Sequence, residues 1–204
     1  MKKSLYLMLT VIALSFVVSL PIFADAVEPQ KKKKAKLEEK TSRAESEARN
    51  VEYLVKQVRK ELVTLPFFGV FDWLEGKVEP DGTVYLRGEV TRPTLKKDAE
   101  RRVEKIEGVE KVINEIEVLP LSTNDDRLRA AVFRALFNAN SPIARYSLGA
   151  NPSIHIIVNN GRLTLKGVVS TKADSDIANV RANGVSGLFD VKNELQVETS
   201  GKKK

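Results

Sequence analysis

The chain has 204 residues, 34 Lys and Arg against 27 Asp and Glu, one His and no Cys. That length suits one ordinary domain or two small ones, and the lack of cysteine excludes disulfides, thiol catalysis and cysteine-based metal sites. The formal net charge of +7 does not describe a cationic body: residues 46–119 carry 13 basic and 15 acidic side chains, net −2, and residues 125–198 carry 9 and 7, net +2. The excess sits in lysines at the two ends, Lys31 to Lys34, Lys36, and Lys202 to Lys204, so a nucleic-acid binder with a charged folded face is not expected. Lysine tails suit weak, salt-sensitive attraction to an anionic surface, or simply solubility.

In chain order, Lys2 and Lys3 precede an uncharged apolar run from Leu5 to Leu20, broken by Pro21 and followed by Ala24-Asp25-Ala26. This predicts a secretory leader over 1–26, cleaved after Ala26 or Ala24, and hence an exported, periplasmic protein, with a retained membrane anchor as the alternative. A Lys-rich linker over 27–45 leads into the first helix, where Val51, Leu54, Val55, Val58 and Leu62 form one apolar stripe. Next comes Phe67, Phe68, Phe71 and Trp73 within residues 66–74, an aromatic stretch that either closes a small core or offers an apolar wedge to lipid or protein.

From Asp81 the sequence repeats itself at a constant offset of 79. Asp81-Gly82 matches Asn160-Gly161, Gly88 matches Gly167, Gly108 matches Gly187, and Asn114-Glu115 matches Asn193-Glu194. Each copy reads as helix, strand, strand, helix, strand. The dipeptides Asp81-Gly82 and Asn160-Gly161 predict tight hairpin turns with positive φ at both positions. The incoming strand is clear in the second copy, Ile154 to Val158, and obscure in the first. The outgoing strands alternate, with Val84, Leu86 and Val90 on one face and Thr83, Tyr85, Arg87 and Glu89 on the other.

Gly88 and Gly167 fall on the inward face, where a helix approaches or the strand bends. The second helices run over about 94–107 and 173–184, with Gly108 and Gly187 as their left-handed caps. Asn114 and Asn193 are expected to be buried amides bonding backbone at the entrance of the last strand. The fold class is α+β: two tandem αββαβ modules over 46–119 and 125–199, each a three-stranded sheet with two helices on one face. A linker over 120–124 joins them and a basic tail over 200–204 follows.

The pattern Asp81-Gly82-x-Val84-x-Leu86-x-Gly88-x-Val90, then a helix, then Glu107-Gly108-Val109-x-x-Val112-x-Asn114, resembles the BON domain, once in each copy. The two-copy layout behind a leader is similar to that of OsmY-type periplasmic proteins. The second copy departs at Leu188-Phe189-Asp190, where the family usually has Val after the glycine. The resemblance implies an αββαβ module of exported and envelope-maintenance proteins, in a family proposed to bind phospholipid or to join protein assemblies.

The residues themselves show no catalytic, metal or cofactor constellation. His155 lies alone on a strand between isoleucines, the carboxylates are spread along helix surfaces, and Asp81-Gly82 lacks phosphate-loop spacing. No cofactor, nucleic acid or small-molecule substrate is expected. The expected partner is an anionic phospholipid surface, with envelope proteins as the alternative. For lipid or partner contact the candidates are Arg127, Arg129 and Arg134 beside Phe133 and Phe137 on the first helix of the second copy, with Phe67, Phe68, Phe71 and Trp73 of the aromatic stretch.

Overall fold

The computed structural model describes residues 28–149 and 151–198. The predicted leader over 1–26 and the basic tail over 200–204 lie outside them. Residues from Ala44 onward group into one compact unit. The Lys-rich segment read as a linker is helical from Glu28, because α1 runs Glu28–Val63. Its Lys, Ala, Glu and Leu content favours helix over coil, and Thr41 Oγ1 donates to the Leu37 carbonyl one turn back at 2.9 Å.

Within the compact unit, module 1 continues with β1 (Trp73–Val78), β2 (Thr83–Val90), α2 (Pro93–Val103), β3 (Lys111–Asn114) and β4 (Glu117–Val118). Module 2 repeats the order with α3 (Thr123–Phe137), β5 (Ile154–Asn159), β6 (Arg162–Val169), α4 (Lys172–Asn183) and β7 (Asp190–Val197). In each, an antiparallel hairpin is joined by a parallel strand after a helical crossover: β1-β2-β3 with β4 also on β2, and β5-β6-β7. The last strand of module 1 is therefore split at Glu115 and Ile116, where Ile116 turns into the core at 1% exposure.

Two cores form where the period-two strand faces meet the helical stripes. Leu54, Val58 and Leu62 pack with Val84, Leu86 and Val90 in module 1, and Leu128, Val132 and Leu136 pack with Leu163, Leu165 and Val169 in module 2. The sequence hides β1 because its inward face is Leu74, Gly76 and Val78. A Cβ at Gly76 would lie 2.7 Å from Val58 Cγ1, so glycine is the residue that lets α1 close on this strand.

Three local expectations are corrected or narrowed. The module 1 hairpin is one residue longer than that of module 2. Glu79 N–H donates to Thr83 O at 2.8 Å, and Asp81 instead accepts the Thr83 N–H on its carboxylate at 2.9 Å. Only in module 2 do both turn residues have positive φ, Asn160 at 50° and Gly161 at 76°. At Gly88 and Gly167, with φ 131° and 125°, the strand departs from extended backbone, and the nearest neighbour is not a helix. A Cβ there would sit 2.0 Å from Trp73 O and Ser153 O of the paired strand, so the close neighbour is sheet backbone. The crossover helices end at Val103 and Asn183, before Gly108 and Gly187, whose left-handed φ serves the turn into the last strand rather than a helix cap.

The asparagines do tie that strand to the crossover helix. Asn114 Nδ2 donates to Lys96 O at 3.0 Å while its Oδ1 accepts the Ile116 N–H at 3.2 Å. Asn193 repeats this with Ser175 O at 3.1 Å and the Leu195 N–H at 3.1 Å. Each half-buried amide thus satisfies a helix carbonyl and a strand N–H together.

Candidate functional site

The candidate contact residues do not gather in one place; the structure divides them between a joint, a buried clamp and an exposed surface. The joint is the aromatic stretch. Ile156 N–H of β5 donates to the Val70 carbonyl at 2.7 Å, so the stretch pairs with the edge of the module 2 sheet. Val70 and Phe71 pack against the module 2 core, and Phe71 meets Phe133 edge-on at 6.3 Å, which in turn meets Phe137 at 5.2 Å. Phe68 and Trp73 hold the His155 ring at 5.5 and 5.1 Å. These five aromatics, Phe68, Phe71, Trp73, Phe133 and Phe137, are at least half-buried and serve packing, as paired rings do.

Asp72 fixes the shape of that stretch. Only 3% exposed, its carboxylate accepts N–H bonds from Gly69 at 3.1 Å and Thr91 at 2.7 Å, and the Thr91 hydroxyl at 2.8 Å. His155, 6% exposed, has Nδ1 3.3 Å from the Gly69 carbonyl. Burial pushes its pKa below the ordinary 6.5, opposed by the Asp72 and Gly69 backbone and the Asp72 charge. The lone histidine therefore stands in the joint as a packed neutral ring. Lys166 and Glu89 add a cross-module ion pair at 3.4 Å.

The buried clamp overturns one reading on α3. Arg129, expected to face lipid, is 4% exposed. Its guanidinium donates to Asp126 Oδ1 at 2.6 Å and to the Val158 carbonyl at 2.7 Å. Ser122 caps α3, its hydroxyl accepting the Asp125 N–H at 3.1 Å. The Asp125 carboxylate, 1% exposed, accepts the N–H groups of Asn160 and Gly161 at 2.9 and 2.8 Å. A buried carboxylate requires such donors, and it locks the β5–β6 turn to the start of α3.

Exposed residues remain at that same end. Arg127 is exposed at the start of α3 and Arg162 at the start of β6, while Arg134 is exposed in the last turn of α3, away from the tip. Phe189, which sequence reasoning passed over, is 80% exposed and lies against the Gly161 turn, its N–H donating to Gly161 O at 2.9 Å. The available signal was the offset of 79, which sets Phe189 opposite Glu110 of module 1. There the Glu110 side chain lies against Gly82 in the same way. Phe67 is also exposed, at 71%, with φ of 66° and the Arg92 guanidinium 4.8 Å from its ring centre. A bulky residue in that backbone region is strained.

Among the described residues, no group of three or more His, Asp or Glu side chains is placed to hold a metal, and no helix is long and apolar enough to cross a membrane. A search of curated proteins finds no match to this chain. Among solved structures it is similar to the C-terminal domain of CdsD, a structural protein of the type III secretion system of Chlamydia trachomatis. That match has 12% identity and a TM-score of 0.29, covering 71% of this chain and 97% of that one. A second structure of CdsD is similar at 11% identity and a TM-score of 0.29, over 71% of this chain and 92% of that one. The BON domain family model matches residues 74–120 and 124–199. With a match in each of its two modules, over more than half its length, the chain belongs to the BON domain family.

Proposed function

We propose that this chain is a non-enzymatic protein of the bacterial envelope that associates peripherally with anionic phospholipid, and that module 2 makes the contact. The observation that carries the reading is the tip of module 2, where exposed Phe189 stands with exposed Arg127 and Arg162 around the turn clamped by Asp125. An aromatic ring flanked by cations fits a headgroup layer: the ring enters the interfacial zone while the guanidinium groups meet phosphates. Module 1 offers Glu110 at the matching position. The basic start of α1, with Lys36 and Lys40 exposed, adds long-range attraction that salt weakens. The leader-like residues 1–26 support export to the periplasm.

The test is sedimentation of the mature protein with zwitterionic vesicles and with vesicles containing phosphatidylglycerol, over a salt series. Binding is expected only to the anionic vesicles and to fall with salt. Arg127→Glu, which reverses one exposed charge, should weaken it about tenfold or more. Equal binding to both vesicle types rules the reading out. No vesicle binding, with a stable protein complex recovered on pull-down, would favour the adaptor function instead.

A further inference from the structure

Beside the joint, α1 and β1 face the start of β5 and the end of β6 across a cleft of about 570 Å³, within the range of about 300–1,000 Å³ typical of small-ligand sites. Its walls are apolar: Val55 and Leu62 of α1, Phe68, Trp73, and Val168 of β6. Two of these stand at solvent on opposite modules, Val55 at 43% and Val168 at 40% exposure, although a folded chain gains by covering such side chains. Two ionic groups line the opening. The Glu75 carboxylate is engaged by the Trp73 indole, whose Nε1–H donates to Oε1 at 2.6 Å. Arg59 is exposed and has no hydrogen-bond or ion-pair partner among the described residues. His155 on the inner wall is already held by Gly69 and the two flanking rings.

We propose that this cleft binds one single-chain anionic amphiphile, its acyl tail along the Val55, Leu62 and Val168 walls and its anionic group on Arg59. The cleft is apolar enough to take a hydrocarbon tail out of water, and the unpaired guanidinium selects a negative head over a neutral or positive one. The inference is independent of the vesicle contact, which lies at the other end of the β5–β6 hairpin.

Trp73 is the only tryptophan of the chain and lines the cleft, so its emission reports occupancy. The full mature chain is titrated with 1-palmitoyl lysophosphatidylglycerol below its micelle concentration, with lysophosphatidylcholine and hexadecyltrimethylammonium as zwitterionic and cationic probes of the same tail length. The expected result is a saturable blue shift with the anionic probe and affinity about tenfold weaker for the other two. Arg59→Gln should erase that preference, and Val168→Phe, which fills the cleft from an exposed position, should weaken all three. Both substitutions lie at the surface, and circular dichroism checks that each variant is folded. Equal affinity for the cationic probe, or unchanged affinity in either folded variant, overturns the proposal. So does a Trp73 response to vesicles with none to the monomeric probes, which would make Trp73 a bilayer contact.

Discussion

The outer faces of β1 and β5 are the same surface in two copies of one fold, yet they carry opposite chemistry. Aligned on the glycines they pair with, Glu75 and Lys77 of module 1 occupy the places of His155 and Ile157 in module 2. The first pair is exposed, while His155 is 6% and Ile157 3% exposed. At His155 the difference comes from the aromatic stretch, which follows α1 and sets Phe68 and Trp73 against that ring. What the backbone repeats is the sheet, its turns and its asparagine ties. What it leaves free is which face becomes apolar, and that is decided by whether another part of the chain covers it. The tips differ without such cover, with Phe189, 80% exposed, in one module where the other has Glu110.

The comparison breaks first where the two modules should behave alike. Gly88→Ala and Gly167→Ala each drive a methyl into the paired strand's carbonyl, and each should cost on the order of 3–5 kcal/mol in chemical denaturation. Loss from only one of them would mean that the sheets are not equivalent. Next in size, Ile157→Lys places the module 1 chemistry at a position only 3% exposed and should cost about 3 kcal/mol. Its mirror, Lys77→Ile, should stay within about 0.5 kcal/mol, and similar costs for the two would remove the distinction between covered and open faces. Asn114→Ala and Asn193→Ala should each cost about 1–2 kcal/mol, equally in both modules, measured by the shift in denaturation midpoint.

Acid gives the smallest effect. Neutral His155 contributes stability that is fully present above its unfolded value near 6.5 and is lost as pH falls through its lowered folded value. Asp72, whose charge faces the ring, works against this loss, while Glu75 and Arg59 stand nearby on the cleft wall. His155→Leu should therefore flatten the decline in stability between pH 7.5 and pH 5 relative to the parent chain. An identical decline would show that His155 is not the titrating group.

Much of this was legible from local pattern. The offset of 79 gave the duplication, period-two alternation gave β2 and β6, and the asparagines on an apolar face announced a bonded amide. Long-range pairing was not legible. Arg129 looks like any helix-surface arginine until the Val158 carbonyl is found beside it, and Asp125 looks like a helix-terminal charge until the β5–β6 turn folds onto it. β1 escaped because its inward face contains Gly76, whose role is set by Val58, 18 positions earlier in the chain. Phe189 was visible as a departure from the repeat, but its exposure depends on the Gly161 turn beneath it. In the aromatic stretch, ring content could not separate a joint from a docking wedge; the Ile156–Val70 bond does.

The proposed division of labour between the two tips is tested most directly by moving the tryptophan. In a Trp73→Phe background, Phe189→Trp and Glu110→Trp each place a single indole at one tip. Vesicles containing phosphatidylglycerol and bromine-labelled acyl chains should quench and blue-shift the probe at position 189 and leave the probe at 110 unchanged. Quenching at 110 alone, or to the same extent at both, would contradict the assignment of lipid contact to module 2.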